Sequence, residues 1–294
     1  MKSLTTMLKY RLLFGTLMVL CLVGLILAGA SLDGSISAAK DNARIQGSLF
    51  CLLVVLVAFP AVPEMAKMAR RKNARIFTPL AIVSSAVLAT SWYWRQFGND
   101  PIAFQLHYVL FAAAFCLSAI FLYQAVIFGT SGVTVNCAVN FFTVFYLGFL
   151  SSFILGLRIN FGPWALLMFI FTVKFADTGA YTIGRLFGKH KFAPRISPGK
   201  TWEGIGGAVL FGIITAVGFS VFCGIMPWCY GMIFGGIFAF LGQLGDLAES
   251  MIKRDAEEKD SSANIPGFGG VLDIIDSPLG AAPAAYAFFM LINC

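Results

Sequence analysis

The stretch IGGAVLFGIITAVGFSVFCGIM, residues 205–226, runs for 22 residues without a single charged side chain. An α-helix needs about 20 apolar residues to cross the hydrocarbon core of a bilayer. The stretch therefore predicts a membrane-spanning helix. Eight further runs have the same character: 12–32, 46–63, 76–94, 106–128, 137–157, 161–176, 228–248 and 278–294. The sequence thus predicts about nine transmembrane helices.

The overall composition agrees with this prediction. Hydrophobic residues make up 59% of the chain and charged residues 12%, and the mean hydropathy is +0.83. A water-soluble protein of this length needs a largely polar surface, and too few polar residues are present to build one. We expect an all-α polytopic integral membrane protein with one membrane domain over residues 1–294, comprising an N-terminal helical part (1–160) and a C-terminal part (161–294). The seven cysteines form no CxxC pair, so neither a zinc site nor a disulfide framework is predicted.

The placement of lysine and arginine predicts the orientation. With the N-terminus in the cytoplasm, 16 of the 21 cationic residues fall on the cytoplasmic side. The first apolar run is too long for the apolar region of a typical signal peptide, so it is predicted to be an uncleaved helix. The net charge of +7 then reflects topology and attraction to anionic lipid headgroups rather than binding to nucleic acid.

Two long segments, 177–204 and 249–277, are predicted to face the cytoplasm, and the second is unusually polar. Residues 249–276 hold 10 of the 35 charges. On a helix that continues through this segment, Asp246, Glu249, Ser250 and Lys253 share one face. Charges near membrane depth usually face a cavity, a partner or an ion. The alternative is a face whose charges only pair with one another at the membrane surface.

The same segment continues as IPGFGGVLDIIDSP. Its glycines, among them Gly269 and Gly270, allow a tight turn whose N–H groups can receive phosphate oxygens. Asp273 and Asp276 are three residues apart, so one helical turn would direct both carboxylates the same way. Such oxygen ligands suit Mg²⁺. The alternative is an acidic cap on a helix that begins at Ser277-Pro278.

The other segment reads FADTGAYTIGRLFGKHKFAPRISPGKTWEG, residues 175–204. Asp177 lies near the end of the sixth span, and Ser197-Pro198 resembles a helix start that would place Lys200 and Thr201 in the first turn. A helix N-terminus beside a lysine is a natural receptor for phosphate. The alternative is that these cations only reflect the orientation of the chain in the membrane, with lysine and arginine on the cytoplasmic side. A P-loop is excluded because it requires glycine at position 194, which is proline.

Together the two segments resemble the signatures of the phosphatidate cytidylyltransferase (CDP-diacylglycerol synthase) family. The close match covers roughly the last 120 residues, whereas the N-terminal part shares only hydrophobicity. A serine, a Lys-Arg pair, a Lys-Asp pair, a glycine turn and two aspartates carry the longer motif: Ser250, Lys253, Arg254, Lys259, Asp260, Gly267, Gly269, Gly270, Asp273 and Asp276.

The resemblance implies transfer of a cytidylyl group from CTP to phosphatidic acid, which yields CDP-diacylglycerol and pyrophosphate. It implies Mg²⁺ held by Asp246, Asp273 and Asp276, with Lys200 and Lys253 assisting the transfer. The expected substrate-binding residues are Ser197, Thr201, Arg254, Lys259, Asp260, Gly269 and Gly270, with supporting roles for Asp177, Glu203 and Ser250. The expected location is a bacterial inner membrane with the site facing the cytoplasm. A homodimer is left open.

The chain departs from the family pattern at four positions. Phe268 replaces a histidine, Ile274 replaces an arginine, Ser262 replaces a glycine, and Lys174 stands where an apolar residue is usual. Phenylalanine transfers no proton, and isoleucine cannot clamp a phosphate. Two alternatives therefore stay open: a related enzyme with another lipid or nucleotide substrate, and a lipid-binding scaffold or transporter without catalysis. Transport is disfavoured because only Lys174 is predicted near the middle of a span.

Overall fold

The computed structural model describes residues 2–35, 45–262 and 269–292, and their side chains from Phe14 onward. Phe268, one of the four departures, lies outside the described residues, as does Gly267 of the motif. The described chain is helical apart from one short hairpin. The helices are α1 (Lys2–Leu32), α2 (Ser48–Arg71), α3 (Thr78–Ala89), α4 (Ser91–Trp94), α5 (Pro101–Ile127), α6 (Val133–Thr143), α7 (Leu150–Asn160), α8 (Gly162–Phe187), α9 (Trp202–Cys223), α10 (Trp228–Asp255) and α11 (Leu272–Ile292).

Seven helical segments of the described chain are long and apolar enough to cross a membrane. One of them, Val133–Phe187, is 55 residues long and contains α6, α7 and α8. The 12-residue helix α3 is apolar but shorter than a span needs. These helices indicate an integral membrane protein with the predicted all-α character. The count of nine spans and the orientation of the N-terminus stay predictions.

Glycines bring α8, α9 and α10 into close contact. A methyl group added at Gly207 of α9 would lie 2.6 Å from the carbonyl oxygen of Gly179 in α8. One added at Gly235 of α10 would lie 2.6 Å from the carbonyl oxygen of Gly212 in α9. Helices in lipid associate through such close backbone approach, because burial of apolar surface gives them little driving force there. The three helices therefore form a tight layer that supports the polar residues at its end.

Helix α11 packs against α10 at Gly245. A methyl group on Gly245 would lie 3.0 Å from the carbonyl oxygens of both Asp276 and Ser277. This approach sets Asp276 beside Asp246, the next residue along α10. Below the polar end, buried apolar side chains such as Phe169, Phe234 and Phe289 fill the space between the helices.

Two predicted helix starts are wrong. Ser197–Thr201 forms strand β2, which pairs antiparallel with β1 (Lys191–Ala193), and α9 begins only at Trp202 with Thr201 as its N-cap. Ser277-Pro278 lies inside α11, which begins at Leu272, so Asp276 is not a cap. A Ser-Pro pair is compatible both with a helix start and with other local structures, and in these two cases the tertiary contacts decide.

The predicted loops are also shorter than expected. Helix α8 continues ten residues past Asp177, and α10 continues to Asp255. The prediction that Asp246, Glu249, Ser250 and Lys253 lie on one continuing helix is therefore confirmed. The connections that remain are therefore 188–201 between α8 and α9 and 256–271 between α10 and α11.

Candidate active site

A polar cavity of about 560 Å³ opens between α8, β2, α10 and α11. It lies at the end of the bundle where the three close-packed helices emerge from their apolar core. The lining side chains that carry charge are Lys174, Asp177, Arg185, Lys200, Asp246, Asp273 and Asp276. Residues from both predicted polar segments therefore meet in one cavity.

Three carboxylates form a compact group at this cavity. Asp246, Glu249 and Asp276 each offer an oxygen, and these oxygens lie within 4.8 Å of one another. Glu249 is fully buried, and Asp276 is only 4% exposed. Buried like charges repel strongly unless cations lie between or beside them. The donor set therefore suits a hard divalent cation such as Mg²⁺, which takes carboxylate oxygens.

Glu249 gives a further indication that the group fits a cation. Its Oε2 is paired with the Nζ of Lys253, whereas its Oε1 has no hydrogen-bond partner among the described residues. A buried carboxylate oxygen without a partner is costly. Metal coordination would satisfy this oxygen.

Two lysines lie beside the carboxylates. Lys200 of β2 contacts Oδ2 of Asp246 at 2.7 Å and donates to the carbonyl of Gln243 at 2.8 Å. Lys253 lies between Glu249 and Asp273, with its Nζ 2.6 Å from Oδ1 of Asp273. Both predicted lysines thus reach the acidic group, where they can neutralise phosphate oxygens.

Lys174 of α8 adds a third cation to the cavity lining. Its Nζ lies 3.5 Å from Asp177 and 3.7 Å from Asp276. Asp177 also accepts hydrogen bonds from Gln243 at 2.7 Å and from Ser277 at 3.2 Å. Asp177 therefore holds α8, α10 and α11 together at the cavity, and the departure to lysine at position 174 places a cation beside this carboxylate.

Asp273 lies at the cavity but is engaged with protein groups. Besides Lys253, it accepts hydrogen bonds from the N–H and hydroxyl of Ser261 at 3.1 and 2.7 Å and from the N–H of Gly270 at 2.7 Å. Glu249, rather than Asp273, completes the three-carboxylate group with Asp246 and Asp276. The sequence placed Glu249 on the same helical face as Asp246 but did not single it out as a metal ligand.

Glu64 of α2 holds the segment that carries Asp273, and its sequence context does not indicate this. It is 4% exposed and accepts four hydrogen bonds. The donors are the hydroxyls of Ser261 and Ser262, at 3.1 and 2.8 Å, and the N–H groups of Val271 and Leu272, at 3.1 and 2.9 Å. A carboxylate here satisfies N–H groups at the start of α11 that have no partner within the helix. The only signal in the sequence is a lone acidic residue directly after the predicted span 46–63.

The glycine turn before α11 lies close to the carboxylates of Asp273 and Glu64. Gly269 has a φ of +93°, which favours glycine. A methyl group at Gly270 would collide with the hydroxyl of Ser261 and would lie 2.5 Å from Oε2 of Glu64. The turn therefore binds carboxylates of the protein, and the predicted phosphate contact at Gly269 and Gly270 stays a prediction.

The remaining predicted site residues differ in whether they line the cavity. Ser197 and Thr201 line the cavity, and the hydroxyl of Thr201 also accepts a hydrogen bond from Gly204 at 3.1 Å. Glu203 binds His190 at 2.6 Å and holds the hairpin. Arg254 donates to the carbonyl of Ile196 at 3.2 Å. The others do not line the cavity: Ser250 is buried on α10, Lys259 and Asp260 are exposed, and Ile274 is half-buried on α11.

Tyr146 contributes from the N-terminal part of the chain. It lies in a π-helical turn, Val144–Phe149, between α6 and α7. Its hydroxyl is buried without a hydrogen-bond partner among the described residues, and the carboxylates of Asp276, Glu249 and Asp246 are near enough to act on it electrostatically. π-helical turns are frequent at functional sites. The acidic group thus has neighbours from both halves of the molecule.

A sequence model of the Cytidylyltransferase family matches residues 9–292. This is nearly the whole chain, including the N-terminal part in which the sequence motifs were weakest. The chain belongs to the cytidylyltransferase family. Its acidic cavity, with lysines on two sides, is therefore the candidate active site of a cytidylyltransferase.

Relatives within this family carry a more specific name. The chain is 40% identical over 134 residues to the phosphatidate cytidylyltransferase of Mycobacterium bovis, which is 45% of this chain and 43% of that protein. The enzyme of the same name from Haemophilus influenzae is 43% identical over 133 residues, 43% of this chain and 46% of that protein. The one from Bacillus subtilis is 39% identical over 118 residues, 40% and 44% of the two chains. The similarity thus spans less than half the length of these relatives.

Proposed function

We propose that this cytidylyltransferase transfers the cytidylyl group of CTP to phosphatidic acid. A phosphate oxygen of phosphatidic acid attacks the α-phosphorus of CTP, the bond from that phosphorus to the β-phosphate oxygen breaks, and pyrophosphate leaves with the electron pair. CDP-diacylglycerol is the other product. No covalent intermediate with a protein side chain is needed, so the protein acts by positioning and by charge stabilisation.

The observation that carries the proposal is the group of Asp246 with the buried Glu249 and Asp276, and with Lys200 and Lys253 beside it. Its position at the end of apolar helices suits a reaction between a water-soluble nucleotide and a lipid whose acyl chains stay in the bilayer. The names of the relatives support the choice of substrates. We place the cavity on the cytoplasmic side, where CTP is found, in accord with the lysine and arginine distribution.

The chain's own residues have distinct tasks in this proposal. Lys200, held between Asp246 and the carbonyl of Gln243, is directed to the phosphates of CTP. Lys253 keeps Glu249 and Asp273 in place and offsets their charge. Ser197 and Thr201, on the same strand as Lys200, donate hydroxyl hydrogen bonds to phosphate oxygens. Mg²⁺, when bound by Asp246, Glu249 and Asp276, supplies further neutralisation of phosphate charge.

The test uses the full chain in detergent–lipid micelles with CTP, Mg²⁺ and phosphatidic acid, and measures CDP-diacylglycerol. We expect product from the wild type and a loss of roughly 100-fold or more in Asp246→Asn, because the substitution removes a charged oxygen from the reacting centre. Asp255→Asn is the matched control. Asp255 lies on the same helix, is exposed and, within the described residues, forms an ion pair with Lys72 alone, at 3.4 Å, so activity should persist.

Three results would contradict the proposal: no product from folded wild-type protein, equal activity of the Asp246→Asn and wild-type chains, and full activity with Mg²⁺ removed by a chelator. Product formed only with another lipid or another nucleotide would instead support the related enzyme with altered substrates. Absence of turnover together with retained lipid binding would support the non-catalytic scaffold.

A further inference from the structure

A second cavity, of about 640 Å³, lies outside the candidate active site and shares no lining residue with it. It is enclosed by the end of α2, the connection to α3, the start of α3 and the end of α5. One wall is polar and carries Arg70, Asn73 and Arg75. The other wall is aromatic, with Phe77, Tyr123 and Phe128.

The charges around this cavity are unbalanced. Its lining contains two arginines and no acidic residue. Neighbouring cations are paired: Arg71 contacts Glu258 at 2.8 Å and Lys72 contacts Asp255 at 3.4 Å. Arg70 and Arg75 have no carboxylate partner within the described part of the chain. The two arginines that face the cavity are therefore available to an anion.

These two ion pairs also locate the cavity in the bundle. They join the end of α2 to the end of α10, which carries the candidate active site. Both cavities thus open at the same end of the molecule. In the proposed orientation this is the cytoplasmic surface, where anionic headgroups attract cations.

Buried amides hold the connection that forms the polar wall. Asn136 of α6 accepts a hydrogen bond from the N–H of Arg75 at 2.9 Å, and Asn140 accepts one from the N–H of Phe77 at 2.7 Å. Asn140 also donates to the carbonyl of Arg75 at 2.8 Å. A connection fixed on both sides loses little further freedom when a ligand binds.

The aromatic wall is held together by contacts between its rings. The ring of Phe77 stacks on Tyr123 and on Phe128, with centroid distances of 4.6 and 5.5 Å. The guanidinium of Arg75 lies 4.9 Å from the centre of the Phe128 ring. The ring holds this cation at the aromatic wall without consuming its hydrogen-bond donors.

The cavity borders an apolar surface that suits acyl chains. On the last turns of α5, Leu122, Val126 and Ile127 have exposed fractions of 66, 72 and 56%. Tyrosine side chains are enriched at the boundary between headgroups and hydrocarbon, and Tyr123 lines this cavity. A ligand here would meet cations at one end and hydrocarbon at the other, which a water-soluble anion does not require.

We propose that this cavity binds the headgroup of an anionic phospholipid. Arg70 and Arg75 receive the phosphate oxygens, Asn73 contributes hydrogen bonds, and the acyl chains lie along the exposed face of α5. The bound lipid is not a reactant, because the cavity contains none of the acidic group at which transfer is proposed.

The test measures lipid retention by the purified full chain with native mass spectrometry, using phosphatidylglycerol and phosphatidylcholine as probes. We expect the wild type to retain phosphatidylglycerol preferentially. Arg70→Gln/Arg75→Gln should weaken that retention roughly tenfold or more, because two cations at a membrane surface are lost. Lys67→Gln/Lys191→Gln removes two exposed cations that do not line the cavity, and retention should persist.

A second measurement needs no variant. A photoactivatable phosphatidylglycerol should crosslink in the wild type to peptides that contain Tyr123 or Phe128. Equal retention of the two lipids, equal loss in both double variants, or crosslinks confined to other helices would overturn the proposal. Displacement of the lipid by inorganic phosphate at equal concentration would also overturn it, since a phosphate site would then suffice. The measurements need neither CTP nor turnover, so failure of the proposed activity leaves them interpretable.

Discussion

Tyr146 shows how a single hydroxyl can link the two halves of the molecule. It comes from a segment whose sequence carries no recognised motif, yet its buried hydroxyl lies within electrostatic range of the carboxylates of Asp246, Glu249 and Asp276. A buried hydroxyl without a partner is normally unfavourable, so its retention suggests a partner that arrives with the substrate or the cation. We regard Tyr146 as a positioning residue for the acidic group.

Tyr146→Phe tests this role. We predict that the variant folds normally, that its kcat falls roughly tenfold, and that it needs more Mg²⁺ for half-maximal activity, because the group that arrives with the substrate or the cation loses the hydroxyl as its hydrogen-bond partner. Steady-state kinetics at varied Mg²⁺ concentration measure both effects.

Tyr108→Phe is the matched control. Its hydroxyl donates to the carbonyl of Val87 at 3.1 Å on α3, so the variant should lose about 1 kcal/mol of stability and no activity. A Tyr146→Phe enzyme with wild-type kcat and wild-type Mg²⁺ dependence would show that the hydroxyl has no part in the reaction.

At the scale of elements, Glu64 attaches the start of α11 to α2. Because it accepts four hydrogen bonds around the turn that also binds Asp273, it couples an N-terminal helix to the C-terminal motif. The sequence predicts a span over 46–63 that ends just before Glu64, and it assigns no role to this glutamate. The partner groups lie about 200 residues away, and no local pattern indicates them.

Glu64→Ala should therefore destabilise the protein by roughly 1–3 kcal/mol, since buried donors at the start of α11 lose their acceptor. Thermal unfolding in detergent measures the loss. Glu258→Ala is the control, because its ion pair with Arg71 lies at the surface and contributes about 1 kcal/mol or less. Equal melting temperatures of the two variants would contradict the assigned role of Glu64.

The contact between α8 and α9 gives a second prediction at this scale. Gly207→Ala should destabilise the protein by roughly 1–3 kcal/mol, because the added methyl group would lie 2.5 Å from Cβ of Ile183 and 2.6 Å from the carbonyl oxygen of Gly179. Its neighbour Gly206 provides the control. A methyl group there has no atom within 4 Å, so Gly206→Ala should be neutral or slightly stabilising. Unfolding in detergent distinguishes them, and a neutral Gly207→Ala would refute the close packing.

At the scale of the whole molecule, a buried ion pair closes the end of the bundle opposite the candidate active site. Asp33, just beyond α1, contacts Arg158 of α7 at 2.9 Å and accepts a hydrogen bond from the N–H of Gly47 at 2.8 Å. Burial raises the pKa of Asp33, but hydrogen bonds from Gly47 and Ser35 and the charge of Arg158 outweigh it and hold the pKa below its ordinary value of 3.8. The pair joins the first helix to the rest of the molecule.

This lowered pKa predicts a pH dependence. The carboxylate of Asp33 stabilises the fold fully above its unfolded-state pKa, and the contribution is lost as the pH falls through the lower folded-state pKa. Asp33→Asn should cost roughly 3–5 kcal/mol near neutral pH, because Arg158 is left buried without its counter-charge. The difference from wild type should shrink in acid.

Thermal unfolding from neutral pH to about pH 3 measures the effect. Asp100→Asn is the control, since Asp100 is an exposed N-cap of α5 and asparagine also caps. A difference between Asp33→Asn and wild type that stays constant over this range would exclude the ionised pair as its cause.

The sequence by itself determined the membrane class, the identity of the polar segments and most of the candidate site. Long runs without charge have one physical outcome in lipid, which is a helix that satisfies its own backbone. The clustering of carboxylates and lysines in an apolar chain indicated where charge chemistry would lie, and Asp246, Asp276, Lys200 and Lys253 do meet there. These inferences depend on composition and short spacings, which are local properties.

Only the tertiary structure decided which of those residues contact one another. It grouped Glu249 with Asp246 and Asp276, engaged Asp273 with Lys253 and Ser261, and brought in Glu64 and Tyr146 from helices without a motif. It also turned Ser197–Thr201 into a strand and extended α11 back to Leu272. Each of these outcomes depends on which helix lies beside which, and in an apolar bundle that choice is set by glycine contacts and buried polar partners far apart in the sequence.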